Sequence, residues 1–87
     1  MKSFIVKRGP DTQSFDQMIK IHDWCEMAFG KMDYLRWNLN FARGTENYVE
    51  FDFRREEDAS AFVLQWNDDC ISKETQFMLG IASWDEV

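Results

Sequence analysis

The sequence predicts a small α+β domain of the ferredoxin-like βαββαβ kind, an antiparallel sheet with two helices on one face. Three observations predict it. Residues 34–41 (YLRWNLNF) and 48–53 (YVEFDF) alternate apolar and polar side chains, the period of strands covered on one side. Residues 12–29 and 54–66 carry apolar side chains at helical spacing. With a short apolar run at each end of the chain, the order becomes strand, helix, strand, strand, helix, strand.

The first strand is read at Ser3–Lys7, where Phe4-Ile5-Val6 is flanked by Lys2, Lys7 and Arg8 and ended by Gly9-Pro10. Its apolar run suits a central place in the sheet. Asp11, Thr12 or Ser14 can cap the helix that follows. The apolar stripe of that helix runs through Phe15, Met18, Ile19, His22, Cys25 and Phe29, with Ile21 and Ala28 beside it, and Gly30 suits the position just past its end. In the hairpin, Leu35, Trp37, Leu39 and Phe41 fall on one face with Val49, Phe51 and Phe53. Tyr34, Arg36, Asn38 and Asn40 fall on the other with Tyr48, Glu50 and Asp52. Gly44 and Asn47 tolerate the positive φ that a turn can demand.

In the second helix, Ala59, Phe62, Val63 and Trp66 stand at i, i+3, i+4 and i+7, and Glu56, Glu57 and Asp58 occupy the first turn, where the helix dipole favours anions. Asn67-Asp68-Asp69 ends it. The last apolar run, Thr75–Ala82, reads as a fourth strand weakened by Gly80, and Ser83–Val87 is an acidic tail. Residues 1–87 are expected to form a single domain, without repeats or linkers.

Composition narrows the function. The net charge of −6 and pI near 4.6 oppose general affinity for nucleic acid or anionic membranes. No apolar run reaches transmembrane length, and residues 1–10 lack the apolar stretch of a secretory signal. The two cysteines are too few for a disulfide framework, so Cys25 and Cys70 are expected to be reduced thiols in a cytosol.

Candidate sites are few. The face of Tyr34, Arg36, Asn38, Asn40, Tyr48, Glu50 and Asp52 is expected to be open and is the candidate interaction surface. RNA-recognition domains stack bases on such a face, but Glu50 and Asp52 would repel a phosphate backbone there, so nucleic acid is an unexpected partner. Arg36 is expected to pair with Glu50 or Asp52 across the hairpin. His22, Cys25 and Glu26 share one helical turn, yet a metal needs about four ligands and a Cys–His nucleophile needs an orienting group. Core packing explains these residues, so no catalytic residue, metal or cofactor is expected. The scattered carboxylates suggest a mimic of nucleic-acid phosphates, although helix capping and solubility account for most of them.

The run VEFDFRREEDASAFVLQW resembles a pattern in short uncharacterised proteins of tailed bacteriophages, in which a Phe-x-Phe strand leads through an acidic turn into Asp-Ala-x-x-Phe-x-x-x-Trp. The matching residues are Phe51, Phe53, Glu57, Asp58, Ala59, Phe62 and Trp66. The resemblance implies a virus-encoded accessory protein in the infected cell's cytoplasm or in the virion, and brings no catalytic or binding residues with it. The expected function is a non-enzymatic interaction module that binds a host or viral protein. It is also expected to form a homodimer through the open face or the edge at Tyr34–Phe41, which has no proline to blunt it. An acidic nucleic-acid mimic and a single-strand binder of the RNA-recognition kind are the alternatives.

Overall fold

The computed structural model describes residues 2–9, 11–33, 35–41 and 47–80. Tyr34, the turn glycine Gly44 and the tail Ser83–Val87 lie outside the described residues. The elements are β1 (Lys2–Lys7), α1 (Thr12–Phe29), β2 (Trp37–Phe41), β3 (Tyr48–Phe53), α2 (Glu56–Trp66), a 3₁₀ turn at Asn67–Asp69, and α3 (Lys73–Leu79). The result is an α+β arrangement with a three-stranded antiparallel sheet in the order β1-β3-β2.

The hairpin register puts Trp37 opposite Phe53, Leu39 opposite Phe51 and Phe41 opposite Val49. On the other side of β3, Phe4 faces Phe51 and Val6 faces Val49. From Trp37 onward the alternation read from the sequence is therefore the real one, whereas Leu35, expected on the same apolar face, lies before β2 and is 84% exposed. Val6, Trp37, Val49, Phe51 and Phe53 meet Ile21, Cys25 and Phe29 of α1 and Ala59 and Phe62 of α2 in one core, with Met18, Trp24 and Trp66 packed against it. Phe62 sits at its centre: its ring centroid lies 4.9 Å from that of Phe53 and 5.3 Å from those of Phe51 and Phe4.

Capping sets the limits of α1. The Ser14 backbone N–H donates to Asp11 Oδ1 at 2.8 Å, and Gly30, at φ 90°, closes the helix by donating to Glu26 O. The buried track is Ile21, Cys25 and Phe29, at i, i+4 and i+8. His22 is half-buried and Ile19 and Phe15 are exposed, so the true stripe is rotated by about one position from the one the sequence suggests.

Three further expectations are corrected. The run Thr75–Ala82 does not open a fourth strand: α3 holds it through Leu79, and Ile81 and Ala82 lie outside the described residues. Ser72 starts this helix by accepting the Thr75 N–H at 3.1 Å, and Gly80 stops it in the left-handed conformation at φ 72°. The glycine that weakens a strand is here a helix terminator. Next, among the described residues β1 pairs with one full strand only, and beyond it stands an antiparallel bridge, Val6 to Cys70, with the Ile71 N–H donating to Ile5 O at 2.9 Å. Finally, the face opposite the helices is not open, because Ser3, Ile5, Glu50 and Asp52 on it are all buried, Glu50 to 1% and Asp52 to 5% exposure. Ile71 returns beside β1 and packs on Ile5 together with Tyr48. Asp52 is kept polar-satisfied by the Ser3 hydroxyl at 2.7 Å and the Asn40 amide at 3.4 Å.

Phe62→Ala is expected to cost about 3–5 kcal/mol, a large share of the stability of so small a domain. Urea denaturation followed by tryptophan fluorescence measures this directly. A midpoint close to that of the parent would show that Phe62 is not at the centre of the core.

Candidate interaction surface

Of the residues that the sequence groups on one polar face, the structure keeps Asn38, Asn40, Tyr48, Glu50 and Asp52 together on one side of the sheet but does not leave that side open. Glu50 and Asp52 are buried, Tyr48 and Asn38 are half-buried, and Asn40 is exposed. Arg36 leaves the group altogether. Its Nε donates to Asp58 Oδ2 at 3.0 Å and its guanidinium stands 5.6 Å from the centre of the Phe29 ring. The hydrogen bond to Asp58 raises the Arg36 pKa above its ordinary value. Thus Arg36 does not pair with Glu50 or Asp52. It ties the entry of β2 to the buried Asp58 in the first turn of α2, an option invisible in strand alternation because it depends on where α2 lies.

The His22–Cys25–Glu26 turn is occupied with packing. His22 Nδ1 lies 3.2 Å from Asp23 Oδ1, its Nε2 lies 3.6 Å from Glu26 Oε2, and its ring meets Trp37 edge-on at 5.7 Å. Cys25 is wholly buried, and burial pushes its thiol up to about 12. Cys70 donates to Trp66 O at 3.3 Å, and burial, followed by the charge of Asp69, pushes it up to about 11. Among the described residues, no three His, Cys, Asp or Glu side chains are grouped so as to hold a metal ion, and no helix is long and apolar enough to cross a membrane.

The outer edge of β2 has a different character. The Arg54 N–H donates to Arg36 O, so Arg36 and Arg54 form a hydrogen-bonded pair, and alternation makes Asn38–Asp52 and Asn40–Glu50 hydrogen-bonded pairs as well. The backbone groups of Trp37, Leu39 and Phe41 therefore turn outward. Trp37 uses both of its own on Asp33, at 2.9 Å each. The Leu39 N–H donates to Met32 Sδ at 3.2 Å, and thioether sulfur is a weak acceptor. Leu39 O and both groups of Phe41 turn outward and meet no hydrogen-bond partner among the described residues.

Side chains reinforce the point. WNLNF carries no charge and no proline, the two usual means of blunting an edge. Leu35, 84% exposed, and Phe41, 58% exposed, flank it with Met32. Arg8 holds Phe41 in place, its guanidinium 5.2 Å from that ring and 5.3 Å from the ring of Phe15. A second exposed apolar set, Leu64 of α2 with Phe77 and Met78 of α3, lies on helices, whose backbone groups are already paired within the helix. The alternation and the missing proline could be read from the sequence, whereas the sulfur acceptor and the Asp33 bridge could not. Comparison with protein-family models, with curated proteins and with solved structures returns no match.

Two outcomes test this description. At pH 8 the shifted thiols hold only ~10⁻⁴ to 10⁻³ of thiolate, against roughly a quarter for an unperturbed cysteine. A disulfide reagent should therefore modify native protein at least ~100-fold more slowly than protein in urea; equal rates would remove the burial argument. Arg36→Met leaves the Asp58 carboxylate buried without its cation and should lower the midpoint of chemical denaturation. An unchanged midpoint would make the ion pair incidental.

Proposed function

We propose that this chain is a small non-enzymatic interaction module that self-associates through the edge of β2 and, in that form, binds a host or viral protein. The observation that carries the reading is the β2 edge itself: an uncharged strand with outward backbone groups, set between exposed apolar side chains on a molecule of net charge −6. Of the two dimer surfaces the sequence suggests, the edge is the one retained, since the polar face is buried at Ser3, Glu50 and Asp52. Buried carboxylates also make that face a poor stacking platform for nucleic acid.

The architecture supports a ferredoxin-like reading in which the fourth strand is reduced to one bridge. Cys70 stands beside Val6 on the side of β1 where such a strand would pair, and α1 and α2 share the opposite face from Ser3 and Asp52. The resemblance of Phe51–Trp66 to phage proteins supports a virus-encoded accessory role in the host cytoplasm or in the virion, with the shared residues serving the core.

Sedimentation equilibrium at tens of micromolar should give twice the chain mass of 10.4 kDa. Phe41→Lys places a charge on the edge and should yield a monomer with an unchanged far-ultraviolet circular dichroism spectrum. A parent protein that stays monomeric across this range would overturn the reading.

A further inference from the structure

Resting on that reading of the β2 edge, we infer that two copies join β2 to β2 antiparallel about a two-fold axis at Asn40, making one continuous six-stranded sheet. The register follows from which backbone groups can be spared. A two-fold axis at Leu39 would set Trp37 against Phe41 of the second copy and would break both Trp37–Asp33 hydrogen bonds. An axis at Asn40 sets Leu39 against Phe41 of the second copy, twice by symmetry, and opposes no described residue to Trp37. Each Leu39–Phe41 pair exchanges both of its backbone hydrogen bonds. Among the described residues, the contact given up is that of the Leu39 N–H to the Met32 sulfur, an exchange of a weak acceptor for a carbonyl.

Side chains agree with the same register. Leu39 and Phe41 both point to the helix-bearing face, as their places opposite Phe51 and Val49 require. Across the axis they become direct cross-strand neighbours, an apolar pair formed twice. Phe41, exposed in one copy and held by Arg8, thereby gains a partner. On the opposite face Asn40 meets Asn40 of the second copy, and amide side chains can donate and accept reciprocally. No charged residue of β2 meets a like charge, so the repulsion between two acidic molecules stays long-range, where physiological salt screens it beyond about 8 Å. This self-complementarity is what selects a second copy over an unrelated extended peptide.

Cysteine cross-linking tests the register on the full chain. The paired Asn40 residues would form a non-hydrogen-bonded pair with Cα atoms about 4.5 Å apart, within disulfide reach. The two Asn38 residues would lie four positions out of register, roughly 13 Å apart along the strands. Asn40→Cys under mild oxidation with oxidised glutathione should give a covalent dimer on non-reducing electrophoresis, while Asn38→Cys should not; circular dichroism confirms that both variants are folded. The native Cys25 and Cys70 provide the background in the parent protein. If the parent sediments as a dimer but Asn40→Cys fails to cross-link, or Asn38→Cys cross-links as readily, the register is wrong and the interaction-module reading survives. If the parent is a monomer in sedimentation, that reading fails and this one with it.

Discussion

The structure depends on β3 having a neighbour on both sides. A strand in that position commits alternate residues to alternate partners. Val49, Phe51 and Phe53 share their backbone groups with β1, and Glu50 and Asp52 share theirs with β2; the Arg8–Asn47 and Arg54–Arg36 hydrogen bonds fix the phase at the two ends. Side-chain direction follows the same alternation. The phase that sends Phe51 and Phe53 into the helix-covered core therefore also sends Glu50 and Asp52 to the opposite face, and turns the backbone of Trp37, Leu39 and Phe41 outward. One parity decides the core, the buried acids and the exposed edge together.

That parity was legible in the sequence, since YLRWNLNF and YVEFDF alternate without interruption. The limits of α1 were legible as well, because Asp11 and Gly30 are residues with definite capping roles. What could not be read were features decided by segments distant in sequence. Tyr48, Glu50 and Asp52 alternate as a solvated face would. In the structure Glu50 and Asp52 are buried, Ile71 returns beside Ile5 and Tyr48, and Ser3 supplies a hydroxyl at Asp52. The run Thr75–Leu79 has the composition of a strand, but Ser72 and Gly80 bracket it as a helix, and local capping prevailed over hydrophobic character. The stripe of α1 was misplaced because Phe15 looks like a core residue. It instead packs under Arg8, at the rim.

Size explains why both sheet faces are put to use. A chain of this length buries only roughly 60–65% of its unfolded surface, and a single apolar layer beneath two helices leaves little margin. Aromatic residues concentrate area in that layer: Trp24 meets Phe29, Phe62 and Trp66 edge-on at 5.5–6.5 Å, and Phe29 meets Phe53 at 5.5 Å. On the second face the chain accepts buried polar groups and gives Asp52 donors from both flanking strands. This is a more costly way to close a sheet than apolar cover. It also makes the pairing of strands specific, because a shift of β1 by one residue would carry the Ser3 hydroxyl away from Asp52 and send Phe4 and Val6 to the opposite face of the sheet.

The two edges of the sheet differ, and the difference is the ground for proposing an interaction surface at β2. The outer side of β1 is met by Cys70 and Ile71, with a carbonyl of the strand taken by a backbone N–H. Among the described residues, the outer side of β2 is met at one end by Asp33 and then by a methionine sulfur. A strand that needed merely to be hidden could carry a lysine at position 38 or 40, where side chains leave the core. This one carries asparagines, which neither repel a second strand nor prevent its approach. Met32 serves the isolated molecule as a replaceable partner for Leu39: it satisfies the N–H well enough to keep the edge ordered, yet a carbonyl from another strand can displace it. The sulfur contact and the uncharged asparagines therefore belong to one arrangement, an extended edge on which the proposed pairing with a second copy rests.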